Sequence, residues 1–121
     1  MSSSVISAHK SYIEATAFEP FELDPDDVLE GPFDGRVHWL RQQSGGEGVL
    51  LAGIFICAAS KVNHSFSADE TFHVLSGAAT YELSDGTTTS VTVGDIASFS
   101  KGASGVFTAH SEFKKFFVIS G

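Results

Sequence analysis

At 121 residues with a formal charge of −8, the chain has the size of one domain. Its 42% hydrophobic content, with eleven Phe, excludes a disordered segment and suffices for a core without disulfides or a structural metal. Phosphate backbones are anionic, so the acidity excludes a nucleic-acid partner; Lys114-Lys115 is an isolated basic pair.

Residues 1–30 read as a polar, acidic N-terminal arm, with Met1–Lys10 lacking the apolar stretch of a signal peptide. Within it Asp24-Pro25-Asp26-Asp27 reads as a turn or helix start, Asp24 capping and Pro25 in the first position. Gly31-Pro32 and Asp34-Gly35 are turn signals. The pattern is then one of strands. Val37, Trp39 and Arg41 alternate with His38, Leu40 and Gln42, and Ser44-Gly45-Gly46 ends the run. Val49–Ala59 is apolar throughout, which predicts a strand buried on both faces. It is too short to cross a bilayer as a helix, so a soluble cytoplasmic protein without a membrane partner is expected. Cys57, the single cysteine, lies in this strand and reads as a buried structural thiol in a reducing compartment.

Strands are predicted over Glu70–Leu75, Ala78–Leu83 and Thr87–Val93, joined at Ser76-Gly77 and Asp85-Gly86. After the turn at Gly94-Asp95 come Ile96–Ser100, Gly105–Ala109 and Lys114–Ser120. So many short strands at close spacing, without helix signals, define an all-β sandwich or barrel over residues 31–121. No phosphate loop is present, since Gly45-Gly46-Glu47-Gly48 lacks the following Lys-Ser or Lys-Thr. Gly102-Ala103-Ser104-Gly105 is one residue short of a nucleophile elbow.

Glu70-Thr71-Phe72-His73-Val74-Leu75-Ser76-Gly77 resembles the second half of the first cupin motif, a glutamate followed after six residues by glycine. Gly94-Asp95-Ile96-Ala97-Ser98-Phe99-Ser100-Lys101-Gly102 resembles the start of the second motif. Gly53-Ile54-Phe55, Gly102–Phe107 and the closing Lys114-Lys115-Phe116-Phe117-Val118-Ile119 are similar to the ureidoglycine-aminohydrolase-like cupins, which include a domain of ethanolamine-utilisation proteins. The resemblance covers residues 36–120. It implies a single cupin jelly-roll barrel of the RmlC-like type behind a short N-terminal arm. It also implies a small polar organic metabolite bound inside.

Metal-binding cupins supply two histidines and the glutamate from the first motif and one histidine from the second. Against that pattern His64 and Glu70 match, Phe66 stands at the second histidine, and Gly105 stands at the third. A degenerate metal site is therefore expected, with no cofactor; a divalent transition metal on His64 and Glu70 is the alternative. His73 falls on the strand face opposite Glu70, and His110 is a distant candidate that would have to fold back. The expected pocket has His64, Glu70 and Lys115 as polar groups and Phe66, Phe72, Phe99 and Phe107 as walls. His64 lies between predicted strands and reads equally as a loop histidine. Glu70 reads either as an unpaired pocket carboxylate or as the ion-pair partner of Lys115. Were the barrel catalytic, Glu70 would be the acid or base and His64 its partner. The alternatives are a metal-dependent aminohydrolase- or dioxygenase-like enzyme, and a non-catalytic dimeric binding module; a homodimer is expected in either case.

Overall fold

The computed structural model describes residues 18–42, 46 and 48–121. The first seventeen residues of the arm and most of the expected break at Ser44-Gly45-Gly46 lie outside the described residues. Eleven strands follow one another: β1 (Glu19–Pro20), β2 (Val28–Glu30), β3 (Arg36–Arg41), β4 (Leu50–Cys57), β5 (Ser60–Ser65), β6 (Asp69–Ser76), β7 (Ala78–Leu83), β8 (Thr88–Thr92), β9 (Ile96–Phe99), β10 (Ser104–Ala109) and β11 (Phe113–Ser120). One turn of 3-10 helix, Pro25–Asp27, is capped as expected: the Asp26 amide donates to Asp24 Oδ1 at 3.0 Å. No helix among the described residues is long and apolar enough to cross a membrane.

Two antiparallel sheets face each other. One has the order β1-β3-β4-β11-β6-β9, the other β2-β5-β10-β7-β8, and together they form a jelly-roll barrel. Two strands thus come from within residues 18–30: β1 extends the first sheet beside β3, and β2 extends the second beside β5.

Alternation decides what fills the space between the sheets. Glu70, Phe72 and Val74 of β6 are buried, while Asp69, Thr71, His73 and Leu75 between them are exposed. On β11 the inward set is Phe113, Lys115 and Phe117. The expectation of a strand buried on both faces over Val49–Ala59 holds for the second half of β4, where Gly53 to Cys57 are all buried, while Val49 is exposed and Leu50 to Ala52 are half-buried. Aromatic rings dominate the interior. Phe99 stacks on Phe66 at 4.7 Å and on Phe72 at 5.9 Å, and Tyr81 packs against Phe99 at 4.7 Å and Phe107 at 5.0 Å. Such ring pairs add about 0.5–1.5 kcal/mol each beyond the area they bury.

Strand β5 departs from the sequence reading, which places no strand between residues 59 and 70. Ser60-Lys61-Val62-Asn63-His64-Ser65 has one large apolar residue, too little for a hydrophobic alternation. It is a strand because β10 pairs along its whole length, from Ser104↔Ser65 to Ala109↔Ser60. At the turn between β8 and β9 the Asp95 carboxylate accepts from the Thr92 amide at 2.9 Å.

The β6–β7 reversal turns on Gly77, at φ +83°. A Cβ there would overlap the Glu112 carbonyl oxygen. Gly86, in the next hairpin, has φ +93° and open space around it. Gly86→Ala should therefore lose only the left-handed backbone preference, about 1–2 kcal/mol, and Gly77→Ala distinctly more. Urea unfolding of both variants checks this; equal losses would mean the Glu112 contact is relieved by a small backbone shift.

Candidate functional site

The inward residues do not fill the barrel completely. A cavity of about 80 Å³ remains between the sheets and opens to solvent. Its walls are apolar: Trp39 from β3, Phe55 from β4, Phe107 from β10 and Phe117 from β11, closed on one side by Phe21 and Phe33 from the segment before β3. Phe21 is held there by its amide, which donates to the Gly35 carbonyl at 2.8 Å, and by an edge contact with Phe55 at 5.7 Å. Trp39 is fixed by its indole Nε1, which donates to Glu19 Oε1 at 2.8 Å. Outside lies a wider vestibule bounded by Asp27, Asn63, Ser65 and Ser67. His64, Glu70, Trp39 and Phe21 border both spaces.

Four polar side chains enter the cavity: His64, Glu70, Tyr81 and Lys115. Lys115 Nζ donates to Glu70 Oε2 at 2.6 Å, and each residue is only 7% exposed. The strand register makes this a long reach. On β11 and β6, Lys115 stands opposite Val74, Phe117 opposite Phe72 and Ile119 opposite Glu70. The lysine side chain runs along the barrel, with its ammonium 4.4 Å from the centre of the Phe72 ring and 5.4 Å from that of Phe55. Cation–π contact of this kind favours the charged form in a desolvated site. Burial pulls the Lys115 pKa down, but Tyr81 and Glu70 outweigh it and hold it above its ordinary value. Burial pushes the Tyr81 hydroxyl up to about 12, against the lowering effect of Lys115.

His64 sits on β5 with Ser60 and Val62 on the same face. Its ring meets Phe66 edge-on at 4.5 Å and makes no hydrogen bond among the described residues. Burial, reinforced by the Lys115 charge, lowers its pKa, so the imidazole is neutral at pH 7.

Of the residues expected to form a pocket, the fold brings His64, Glu70, Phe107 and Lys115 together on the cavity. Phe66 borders the vestibule, while Phe72 and Phe99 stack in the core away from the cavity wall. Glu70 has the partner that one of its two readings required, and His64 lies on a strand, not in a loop. His73 is exposed on the opposite face of β6. His110 does not fold back: it is exposed, with its Nε2 2.7 Å from Thr80 Oγ1. Sequence reasoning missed Tyr81, Phe21 and Trp39. Tyr81 carried a signal, since it shares parity with Ala79 on a predicted strand; Phe21 lies in a segment without periodicity.

Residues 44–117 match the EutQ-like cupin domain family. The chain belongs to that family. Among solved structures, a protein of unknown function from Pseudomonas syringae pv. tomato superposes with a TM-score of 0.76 at 18% identity, over 87% of this chain and 45% of that one. This cupin thus spans under half the length of the Pseudomonas protein. The Clostridium difficile EutQ protein gives 0.64 at 16% identity over 83% and 80% of the two chains. Ectoine synthase from P. lautus gives 0.67 at 16% identity over 96% and 78%. At these identities the likeness is one of fold. No curated protein matches the sequence.

The cupin's donor set does not fit a divalent metal. No three His, Cys, Asp or Glu side chains converge among the described residues. The Glu70 carboxylate is already bound by an ammonium, which would repel a second cation at that position. Phe66 stacks into the core where the resemblance puts a histidine. Gly105, at the other histidine position, is hemmed by β7: any Cβ would overlap the Glu82 carbonyl oxygen.

Removing one partner of a buried pair strands the other, at a cost of about 3–5 kcal/mol, whereas replacing both by apolar groups is often neutral or stabilising. Glu70→Gln and Lys115→Met should each destabilise on that scale, and the double variant Glu70→Leu/Lys115→Met should be near wild type, as read by urea unfolding. A loss in the double variant as large as in the single ones would show that the pair stabilises the barrel better than apolar packing does.

The buried groups also set the pH range of stability. The Cys57 thiol, pushed by burial from 9.0 to about 12, and Tyr81, from 10.0 to about 12, keep their protons in the fold at pH values where the unfolded chain releases them. Lys115, raised above 10.5, acts in the same direction. Stability should therefore fall as pH rises above 9, by about 1.4 kcal/mol per pH unit for each group within its window. His64 is lowered below 6.5, so the unfolded chain takes up its proton first and stability should also fall below pH 6.5. Denaturation midpoints across pH check the plateau between. Cys57→Ala should postpone the alkaline decline from 9 toward 10, and an unchanged onset would refute the assignment.

Proposed function

We propose that this cupin binds a small organic molecule inside its barrel without a metal, with His64 as the side chain that reads the ligand's polar group. One observation carries the reading. The His64 imidazole is half-buried, borders both the aromatic cavity and the vestibule, and has no protein hydrogen-bond partner among the described residues, so its ring nitrogens stand open to a ligand. Glu70 and Lys115 satisfy one another, so they orient and polarise the floor of the site. The resemblance to ureidoglycine-aminohydrolase-like cupins supports a nitrogen-containing ligand. If the barrel is catalytic, the proton acceptor is His64, since the ammonium holds the carboxylate that was the other candidate.

Trp39 is the single tryptophan and borders both cavity and vestibule, so its fluorescence reports occupancy. A metabolite screen by thermal shift, followed by Trp39 titration, should yield ligands that stabilise the fold by binding its native state alone. His64→Ala should weaken the best of them about three- to tenfold, the worth of one hydrogen bond. Ligands that bind wild type and His64→Ala equally would remove His64 from the site.

A further inference from the structure

We infer that the molecule taken by this cavity is uncharged and ring-bearing, and that anions and cations of the same size are rejected. The inference rests on the binding reading above and specifies its ligand. The polar floor holds one positive and one negative charge in contact at 2.6 Å, beside a neutral imidazole. Its net charge is zero, and each charge is already engaged. The Lys115 ammonium has the Glu70 carboxylate, the Tyr81 hydroxyl and the Phe72 face around it.

A ligand carboxylate would have to share that ammonium with Glu70. Two carboxylates and one ammonium would then lie in an apolar chamber, an uncompensated buried charge. A ligand ammonium would compete with Lys115 for Glu70 and leave the reverse imbalance. An uncharged amide, carbonyl or hydroxyl meets neither penalty. It can pair with the free nitrogens of His64, which both accept and donate in the neutral form.

The walls specify the rest. Phe21, Phe33, Trp39, Phe55 and Phe117 present ring faces and edges to the space, already paired in tilted and edge-on contacts at 5.6–5.8 Å. An added ring extends such contacts, whereas a chain of polar groups would find partners only at the floor.

The test uses the full chain and four probes near neutral pH: benzamide, benzoate, benzylamine and the ring-free acetamide. Calorimetric titration and thermal shift read each one. Benzamide should bind at least about tenfold more tightly than either charged analogue, since even a partly uncompensated buried charge outweighs one hydrogen bond, and acetamide should not bind measurably. Benzoate or benzylamine binding as well as benzamide would overturn the charge rule while leaving a ligand-binding barrel intact. Acetamide matching benzamide would overturn the ring requirement. If none of the four binds, the inference falls, while the binding reading stands or falls by the metabolite screen. Glu70→Gln supplies a second arm: its lone lysine should shift the preference toward benzoate by about tenfold or more. An unshifted preference in the folded variant would overturn the rule, and if the variant does not fold, the wild-type panel decides alone.

Discussion

The Lys115–Glu70 pair is the constraint on which the interior depends. It joins β11 to β6, neighbours at the heart of the six-stranded sheet. It also places a full positive charge among aromatic rings. Charges are removed from water only at a penalty that a single contact barely offsets. The surroundings show how it is met: a short charge-assisted bond, the Phe72 and Phe55 rings beside the ammonium, and the Tyr81 hydroxyl nearby. The same ammonium depresses the pKa of His64 after burial has begun to do so. Burial and that ammonium act together on the imidazole.

The pair also explains how the barrel stands without the histidines of the metal-binding cupin pattern. A carboxylate at the position of Glu70 needs a cation inside an apolar barrel, and the lysine supplies one. With that charge in place, Phe66 can serve the aromatic core. Gly105 can let β7 approach β10 more closely than any side chain would permit. These substitutions support one another: an imidazole at position 105 would meet backbone, and one at position 66 would interrupt the stack with Phe99.

Much of this was legible in the residues. The strands from β6 to β11 follow from alternation and from Gly77, Gly86 and Gly94, because a two-residue period and an obligatory left-handed turn are local properties. Glu70 and Lys115 could be assigned inward by parity, but not to each other. Their meeting depends on a register shift between Lys114 and Lys115, where Leu75 of β6 is left without a partner in the ladder, and no local signal announces a bulge of that kind. Strand β5 was not legible because its polar residues become a strand only through pairing with β10 and β2. His64 therefore looked like a loop residue, although it is positioned as firmly as Val62 beside it. Phe21 was invisible for a related reason: it belongs to a segment whose place is set by a backbone bond to Gly35 and by ring contact, not by a pattern.

A buried ion pair is rarely the most stable way to fill a core, and two apolar residues would pack the same volume without desolvation. Its presence beside an unpaired imidazole and an incompletely filled cavity is a departure from the packing rule that the rest of the barrel obeys. Such departures concentrate where a molecule has to be bound, since a floor of fixed, mutually neutralised charges offers orientation without attracting ions. Stability alone accounts for the rings of Phe66, Phe72 and Phe99. It does not account for Glu70, Lys115 and His64, and that difference separates the core of this barrel from its site.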